Sequence, residues 1–270
     1  MKRGSKKANS CFNLAINNLY PRSKRAQVTM FIVVAIIIVI IVVIYFLVKN
    51  PNILPQSEKV NPQVEPIYGY VQSCLKETGD QAVFYTSFRG GYYNPPNNNH
   101  NGIAIYFDKG TNYFPSINAI EDEISLFMDG ILATCIDDFK QFPDFEIKAE
   151  QSHTKTTIEP NKINFKVTMP LSISKGNKSY TLEYFSVEIP AQLYKVHSVI
   201  SELMQDQIKN PDTMCLSCMY KLASENDLYF ETNDIDSETV LFTIIDENSK
   251  VLNNSHIFNF VNKYKLKENE

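Results

Sequence analysis

The feature that most constrains this chain is an uncharged stretch of twenty-one residues, 28–48, without proline or glycine, which runs VTMFIVVAIIIVIIVVIYFLV. As an α-helix it would be about 31 Å long, which matches the hydrocarbon thickness of a bilayer. The run is longer than that of a cleaved secretory signal, and no small-residue cleavage site follows it. The sequence therefore predicts one retained transmembrane helix over residues 28–48.

Charge predicts the orientation of this helix. Seven lysine or arginine residues precede it, and the first acidic residue is Glu58. Basic residues mark the cytoplasmic side, so the protein is expected in the cell membrane as a single-pass protein with a cytoplasmic N-terminus. The predicted organisation is a basic cytoplasmic tail (1–27), the transmembrane helix (28–48), a proline-containing stalk (49–66), an extracytoplasmic domain (67–264) and a frayed tail (265–270).

The region after the helix is acidic. Residues 51–270 hold 18 basic and all 30 acidic residues, a net charge of −12. This charge argues against nucleic acid as a partner and leaves the bilayer as the one partner that the sequence indicates directly. The motifs G-x-S-x-G, P-loop, H-E-x-x-H and G-x-G-x-x-G do not occur. We therefore predict no catalytic residue, no cofactor and no metal site.

Apolar periodicity predicts an α+β domain with an antiparallel β-sheet and about four helices. Helical spacing covers residues 67–85, 117–139 and 193–209, and a short helix capped by Asp212 or Thr213 follows. Alternation predicts strands at 103–107, 145–149, 163–173, 180–189, 228–231, 240–245 and 257–261. Pro170 favours a sheet edge or a bulge. In the next strand the alternation of apolar and polar residues shifts by one position between Tyr184 and Phe185, which indicates a β-bulge.

Cysteines supply the sharpest chemical pattern. Cys74, Cys135, Cys215 and Cys218 lie outside by the predicted topology, and they allow three pairings. Two residues separate Cys215 from Cys218 at a predicted helix start. The alternatives for this pair are a structural disulfide, a redox-active pair, or a metal site or free thiols. Cys74 and Cys135 fall on the apolar stripes of two helices, so they form a bridge between the helices or two buried thiols.

The best candidate for a ligand-binding surface is the loop at residues 89–101. Its candidate residues are Arg89, Tyr92, Tyr93, Asn97 and Asn98. Aromatic rings that stack beside amides that hydrogen-bond are typical of glycan- or protein-binding loops, and the alternative is an ordinary solvated loop.

Two N-glycosylation triplets fall in predicted turns outside the membrane. Their acceptor residues are Asn177 and Asn253. Turn positions of this kind are accessible to a glycosylating host, so both are candidate modification sites.

The residues KRAQVT at 24–29, followed by the Ile/Val-rich helix, resemble in part the archaeal class III, prepilin-like signal, which is cut before the glutamine. Phe31 stands where such signals usually carry glutamate. The chain also resembles a group of single-pass membrane proteins of DPANN archaea through residues 24–48, CLSCMYKLA at 215–223, LFTIIDENSK at 241–250 and FNFVNKY at 258–264. That resemblance implies the topology and no activity.

Three functional hypotheses follow. The first is a membrane-anchored, extracytoplasmic binding or scaffolding domain, whose partners would be other envelope proteins or glycans. The second is a membrane-tethered thiol-disulfide oxidoreductase that uses Cys215 and Cys218. The third is a pilin-like surface-assembly subunit processed before Gln27.

Overall fold

The computed structural model describes residues 31–42 and 60–265, which belong to two separate compact units. Residues 31–42 form helix α1, in which every residue is apolar and exposed. Among the described residues, no helix has both the length and the apolar character needed to cross a bilayer. The predicted transmembrane segment 28–48 extends beyond α1 on both sides. The predicted cytoplasmic tail, the cleavage position before Gln27, Cys11 and most of the stalk lie outside the described residues.

The second unit contains four α-helices, one 3-10 helix (Asp137–Phe139) and ten strands within residues 60–265. The α-helices and strands are α2 (Glu65–Phe88), β1 (Asn99–His100), β2 (Ile103–Asp108), β3 (Thr111–Asn112), α3 (Ile117–Ile136), β4 (Glu146–Ala149), β5 (His153–Glu159), β6 (Lys162–Lys175), β7 (Lys178–Ile189), α4 (Leu193–Lys209), α5 (Leu216–Asn226), β8 (Tyr229–Asp234), β9 (Thr239–Val251) and β10 (Asn254–Lys263). The prediction of an α+β domain with about four helices is confirmed.

The strands form two sheets, where the sequence predicted one. The larger has the order β1-β2-β10-β9-β8 with β3 paired to β2. In the smaller sheet the other three strands all pair with β6. Strand β7 pairs along most of its length, β5 pairs with residues 162–168 and β4 pairs with residues 171–174. The smaller sheet is antiparallel, but β2 runs parallel to β10. The predicted antiparallel β-sheet is therefore confirmed for the smaller sheet, whereas the larger sheet is mixed, because β2 and β10, far apart in sequence, pair side by side.

The predicted bulge lies between β6 and β7. Thr168 pairs with Tyr184 and Leu171 with Leu182, so two residues of β6, Met169 and Pro170, oppose a single residue of β7. Pro170 therefore sits at the bulge, where its missing N–H is tolerated. On β7 the alternation of buried and exposed residues shifts between buried Leu182 and exposed Tyr184. This position is slightly earlier than the predicted one between Tyr184 and Phe185.

Helix α2 is the central element of the core. It packs against α3 and against both sheets, through β7 and β10. Gly79 permits this approach, since a Cβ there would lie 3.2 Å from the Ile189 side chain. Cys74 of α2 and Cys135 of α3 are joined by a disulfide with S–S 2.14 Å across 61 residues. A loop of this length gives a chain-entropy stabilisation of about 4 kcal/mol.

One predicted helix cap is confirmed, a second is replaced by another residue, and one strand was not predicted. Ser116 caps α3 as expected, through a 3.2 Å bond from the Ala119 N–H. The cap of α5 is Cys215, in place of the predicted Asp212 or Thr213. Strand β5 was not predicted, because only Thr156 and Ile158 in it are buried.

A buried polar cluster joins β9, β10 and the end of α2. The His256 imidazole Nε2 lies 2.8 Å from the Ser87 hydroxyl, and His256 pairs in register with Asp246. The Asp246 carboxylate accepts hydrogen bonds from the Ser249 hydroxyl and the Asn248 N–H. Within the described residues, His256 Nδ1 has no hydrogen-bond partner. Burial lowers the pKa of His256 to about 4, although the negative charge of Asp246 opposes this shift.

This cluster predicts acid destabilisation. The unfolded chain binds a proton on His256 near its ordinary pKa of 6.5, whereas the folded chain resists it until about 4. The resulting stabilisation is complete above pH 6.5 and is lost as the pH falls towards 4, by about 3 kcal/mol. Urea unfolding of the full chain between pH 7 and 4 measures this loss. His256→Gln should flatten the pH dependence, while the exposed control His153→Gln should leave it unchanged. Equal slopes in the two variants would contradict the prediction.

Candidate functional site

The chain leaves α2 through a tightly specified turn. The Gly91 N–H donates to the Thr86 carbonyl at 2.7 Å and closes the helix. Gly91 has φ +80°, and a Cβ there would lie 2.8 Å from the Ile120 side chain, so only glycine fits. The Tyr106 hydroxyl donates to the Gly90 carbonyl at 2.9 Å. The turn therefore directs the following loop across the start of α3.

A carboxylate of α3 binds the start of this loop. Glu123 of α3 accepts hydrogen bonds from the N–H groups of Tyr93 and Asn94, both at 2.9 Å. Burial raises the pKa of Tyr92, and the negative charge of Glu123 raises it further. Hydrogen bonds to a charged acceptor are stronger than neutral ones. The loop is therefore fixed in one conformation before any ligand binds.

Beside the loop lies a pocket of about 390 Å³, which we call the aromatic pocket. Its aromatic residues come from the end of α2, the loop and α3, and they are Tyr85, Phe88, Tyr93 and Phe127. Tyr85 stacks on Phe127 with 5.6 Å between ring centroids, and Tyr93 meets Phe127 edge-on at 5.2 Å. Because Phe127 is buried beneath them, the rings of Tyr85 and Tyr93 are held in place.

Two of these rings remain open to solvent. Tyr85 is 50 % exposed and Phe88 is 46 % exposed, although both lie in an ordered helix. Arg89 lines the same pocket and donates from Nη1 to the Tyr93 carbonyl at 2.9 Å, which fixes its guanidinium. Exposed Asn101 also lines the pocket. Flat apolar faces therefore lie next to a fixed cation and an amide, a combination suited to an amphipathic ligand.

The predicted ligand-binding residues divide between the pocket and the rest of the loop. Arg89 and Tyr93 line it, whereas Tyr92, Asn97 and Asn98 are not among its lining residues. The Asn98 carbonyl instead accepts a bond from the Ile105 N–H at 3.3 Å. The other three aromatic residues of the pocket, Tyr85, Phe88 and Phe127, were not predicted as site residues. The aromatic residues at positions 84, 85 and 88, directly before the loop, were the sequence feature that could have indicated them.

The second cysteine pair lies at the start of α5. Cys215 and Cys218 form a disulfide with S–S 1.96 Å, and both are half-buried. The Cys218 N–H points to Cys215 Sγ at 3.2 Å. The carboxylate of Asp206 and both sulfurs lie within 4.8 Å of one another. A carboxylate so close disfavours a thiolate on either sulfur after reduction, which weighs against an easily reduced pair.

The two candidate glycosylation sites occupy hairpin ends. Asn177 lies in the turn between β6 and β7, and Asn253 in the turn between β9 and β10. Both side chains are exposed. Strand β9 continues to Val251, further than predicted, because Asp246 and Ser249 are buried. The turn at Asn253 is therefore shorter than the sequence indicated.

No protein-family model, curated protein or solved structure matches this chain significantly. The aromatic pocket combines fixed side chains, exposed apolar faces and hydrogen-bond donors, which makes it the stronger candidate site. The Cys215–Cys218 disulfide has a carboxylate beside it and is the weaker candidate.

Glu123 is predicted to order the pocket wall. Replacing it by alanine removes the acceptor of two hydrogen bonds, each of which contributes about 1.5–3 kcal/mol. We expect Glu123→Ala to accelerate hydrogen exchange at the Tyr93 and Asn94 amides by at least about tenfold, with the helices unaffected. Asp122→Ala removes an exposed carboxylate from the same helix and should leave both amides unchanged. Equal exchange rates in both variants would show that other contacts order the loop.

Proposed function

We propose that this protein is a membrane-anchored, extracytoplasmic glycan-binding protein. The anchor would be the uncharged segment 28–48, within which residues 31–42 are helical with exposed apolar side chains. Basic residues before this segment favour a cytoplasmic N-terminus. The disulfides Cys74–Cys135 and Cys215–Cys218 suit an oxidising compartment, which supports placing residues 60–265 outside the cell.

The half-exposed rings of Tyr85 and Phe88 carry the proposal of a glycan ligand. A pyranose ring has an apolar face that stacks on an aromatic ring and a polar edge that needs hydrogen bonds. Arg89 and Asn101 supply donors at the edge of the aromatic pocket. Since Glu123 and Arg89 already hold the loop, binding would require little ordering of the protein.

The alternative functions have less support. Thiol-disulfide exchange by Cys215 and Cys218 would form thiolates next to the Asp206 carboxylate, which opposes them. A pilin-like subunit would require cleavage before Gln27, outside the described residues. Sequencing of the N-terminus of protein from native membranes distinguishes a permanent anchor, which retains Lys24 and Arg25, from a processed subunit that begins at Gln27.

The proposed glycan site predicts that Tyr85 contributes to oligosaccharide binding. Isothermal titration calorimetry measures binding, because the chain has 15 tyrosines and Tyr85→Ala would itself remove one of the fluorophores. We expect oligosaccharides prepared from the host envelope to bind the full chain in detergent, and Tyr85→Ala to weaken binding by about tenfold, roughly 1.4 kcal/mol. Tyr194→Ala, which removes a half-exposed tyrosine from α4, is the control. Unchanged affinity in both Tyr85→Ala and Phe88→Ala would refute the site.

The proposed topology has its own test. Protease added to intact cells should digest residues 60–265 and spare a tag placed at residue 1, because only the domain would face outward. Carbonate washing should leave the undigested chain in the membrane pellet, since residues 28–48 would be held by lipid. Digestion of the tag in intact cells, or release of the chain by carbonate, would overturn the proposed topology. Cells opened before protease treatment provide the positive control for tag cleavage.

A further inference from the structure

A groove of about 780 Å³ lies between α5 and β8. One face of α5 forms its wall, at helical spacings of three and four residues, with the side chains of Leu216, Met219, Tyr220 and Ala223. Tyr229 and Phe230 of β8 form the opposite side. We call this surface the α5–β8 groove, and it shares no lining residue with the aromatic pocket.

Large apolar side chains in this groove face solvent. Leu216 is 62 % exposed, Tyr220 80 % and Tyr229 56 %. Single exposed apolar residues are common on protein surfaces, but a group of them around one concavity marks an interaction surface. Met219 and Leu228 beneath them are buried, so the groove has a packed base. The exposed groups therefore lie on a supported surface.

Strand β8 borders the groove and ends the larger sheet. Among the described residues it pairs only with β9, and five of its six residues are exposed. The outer backbone groups of an edge strand can hydrogen-bond an additional extended segment. Strand β8 contains neither proline nor lysine, two residues that commonly block such pairing.

Charge specifies the kind of segment that fits. Asp227 and Glu247 line the groove, and β8 itself carries Glu231 and Asp234. Lys221 of α5 lies 4.0 Å from Glu225, which offsets its charge. Lys195 of α4 donates to the Asn226 carbonyl at 2.9 Å, so it offsets one of these four carboxylates. The surroundings of the groove are therefore negative, so lysine or arginine in a bound segment would be stabilised and acidic residues would be repelled.

We propose that the α5–β8 groove binds an extended, cationic polypeptide segment of a partner protein. The segment adds as a strand to the free edge of β8, with about six residues covering roughly 20 Å. Its apolar side chains contact Leu216 and Tyr220. Its basic side chains lie on the other face of the added strand, towards Glu231 and Glu247, because successive residues of a strand point to opposite faces. The site is separate from the glycan site, so the protein would link an envelope glycan to an envelope protein.

The test uses a fluorescent octapeptide of alternating lysine and valine with the full-length chain in detergent. Fluorescence anisotropy measures binding of this peptide, of its glutamate counterpart, and of a version N-methylated at alternate residues. We expect the lysine peptide to bind, the glutamate peptide not to bind, and N-methylation to weaken binding at least tenfold, because it removes the strand-pairing N–H groups. Equal binding of the parent and N-methylated peptides would overturn strand addition, as would absence of binding.

Variants of the chain locate the site. Ala223→Arg places a bulky cation in the groove and should weaken peptide binding at least tenfold. Asn118→Arg adds the same charge at an exposed position of α3 and should have no effect. If Ala223→Arg fails to fold by circular dichroism, Glu247→Lys tests the same surface. Equal affinity in the groove and control variants would overturn the proposal. So would concentration-dependent dimerisation abolished by Ala223→Arg without peptide binding, since the groove would then belong to a second copy.

Discussion

The burial of α2 on several sides at once is the constraint on which the rest of the domain depends. This helix contacts α3 and both sheets, so its core positions have to be apolar or small. Gly79 lets Ile189 and Phe165 approach the helix backbone closely. The disulfide between Cys74 and Cys135 then ties α2 to α3. Any change in the position of α2 would move both sheets, because close-packed interiors transmit such shifts.

The positions of the buried polar cluster around His256 and of the aromatic pocket both follow from where α2 ends. Ser87 in its last turn reaches His256 in β10, which links the helix end to the larger sheet. One residue later, Phe88 is exposed at the aromatic pocket, and Arg89 holds the Tyr93 carbonyl. A buried network and a candidate binding surface therefore meet within three residues. The rigidity that the core gives to α2 preorganises the pocket without further cost in ordering.

The sequence predicted the elements whose pattern is local. Apolar stripes placed α2, α3, α4 and α5, since a helix that packs on a core needs apolar residues at every third or fourth position. The same periodicity placed Cys74 and Cys135 on facing stripes, and their pairing is confirmed. Strand β5 was not predicted because five of its seven residues are polar or charged besides buried Thr156 and Ile158, and its place in the sheet comes from pairing with β6.

The α+β class of residues 60–265 and the positions of their helices could be predicted from the sequence, since apolar periodicity depends on residues a few positions apart. Long-range packing sets the parallel pairing of β2 with β10 and the division into two sheets. It also decided that Tyr85, Tyr93 and Phe127 share one pocket, and that Glu123 holds the loop. These contacts join segments far apart in the chain. Periodicity shows which face of a segment is apolar, but packing of the whole core selects what that face meets.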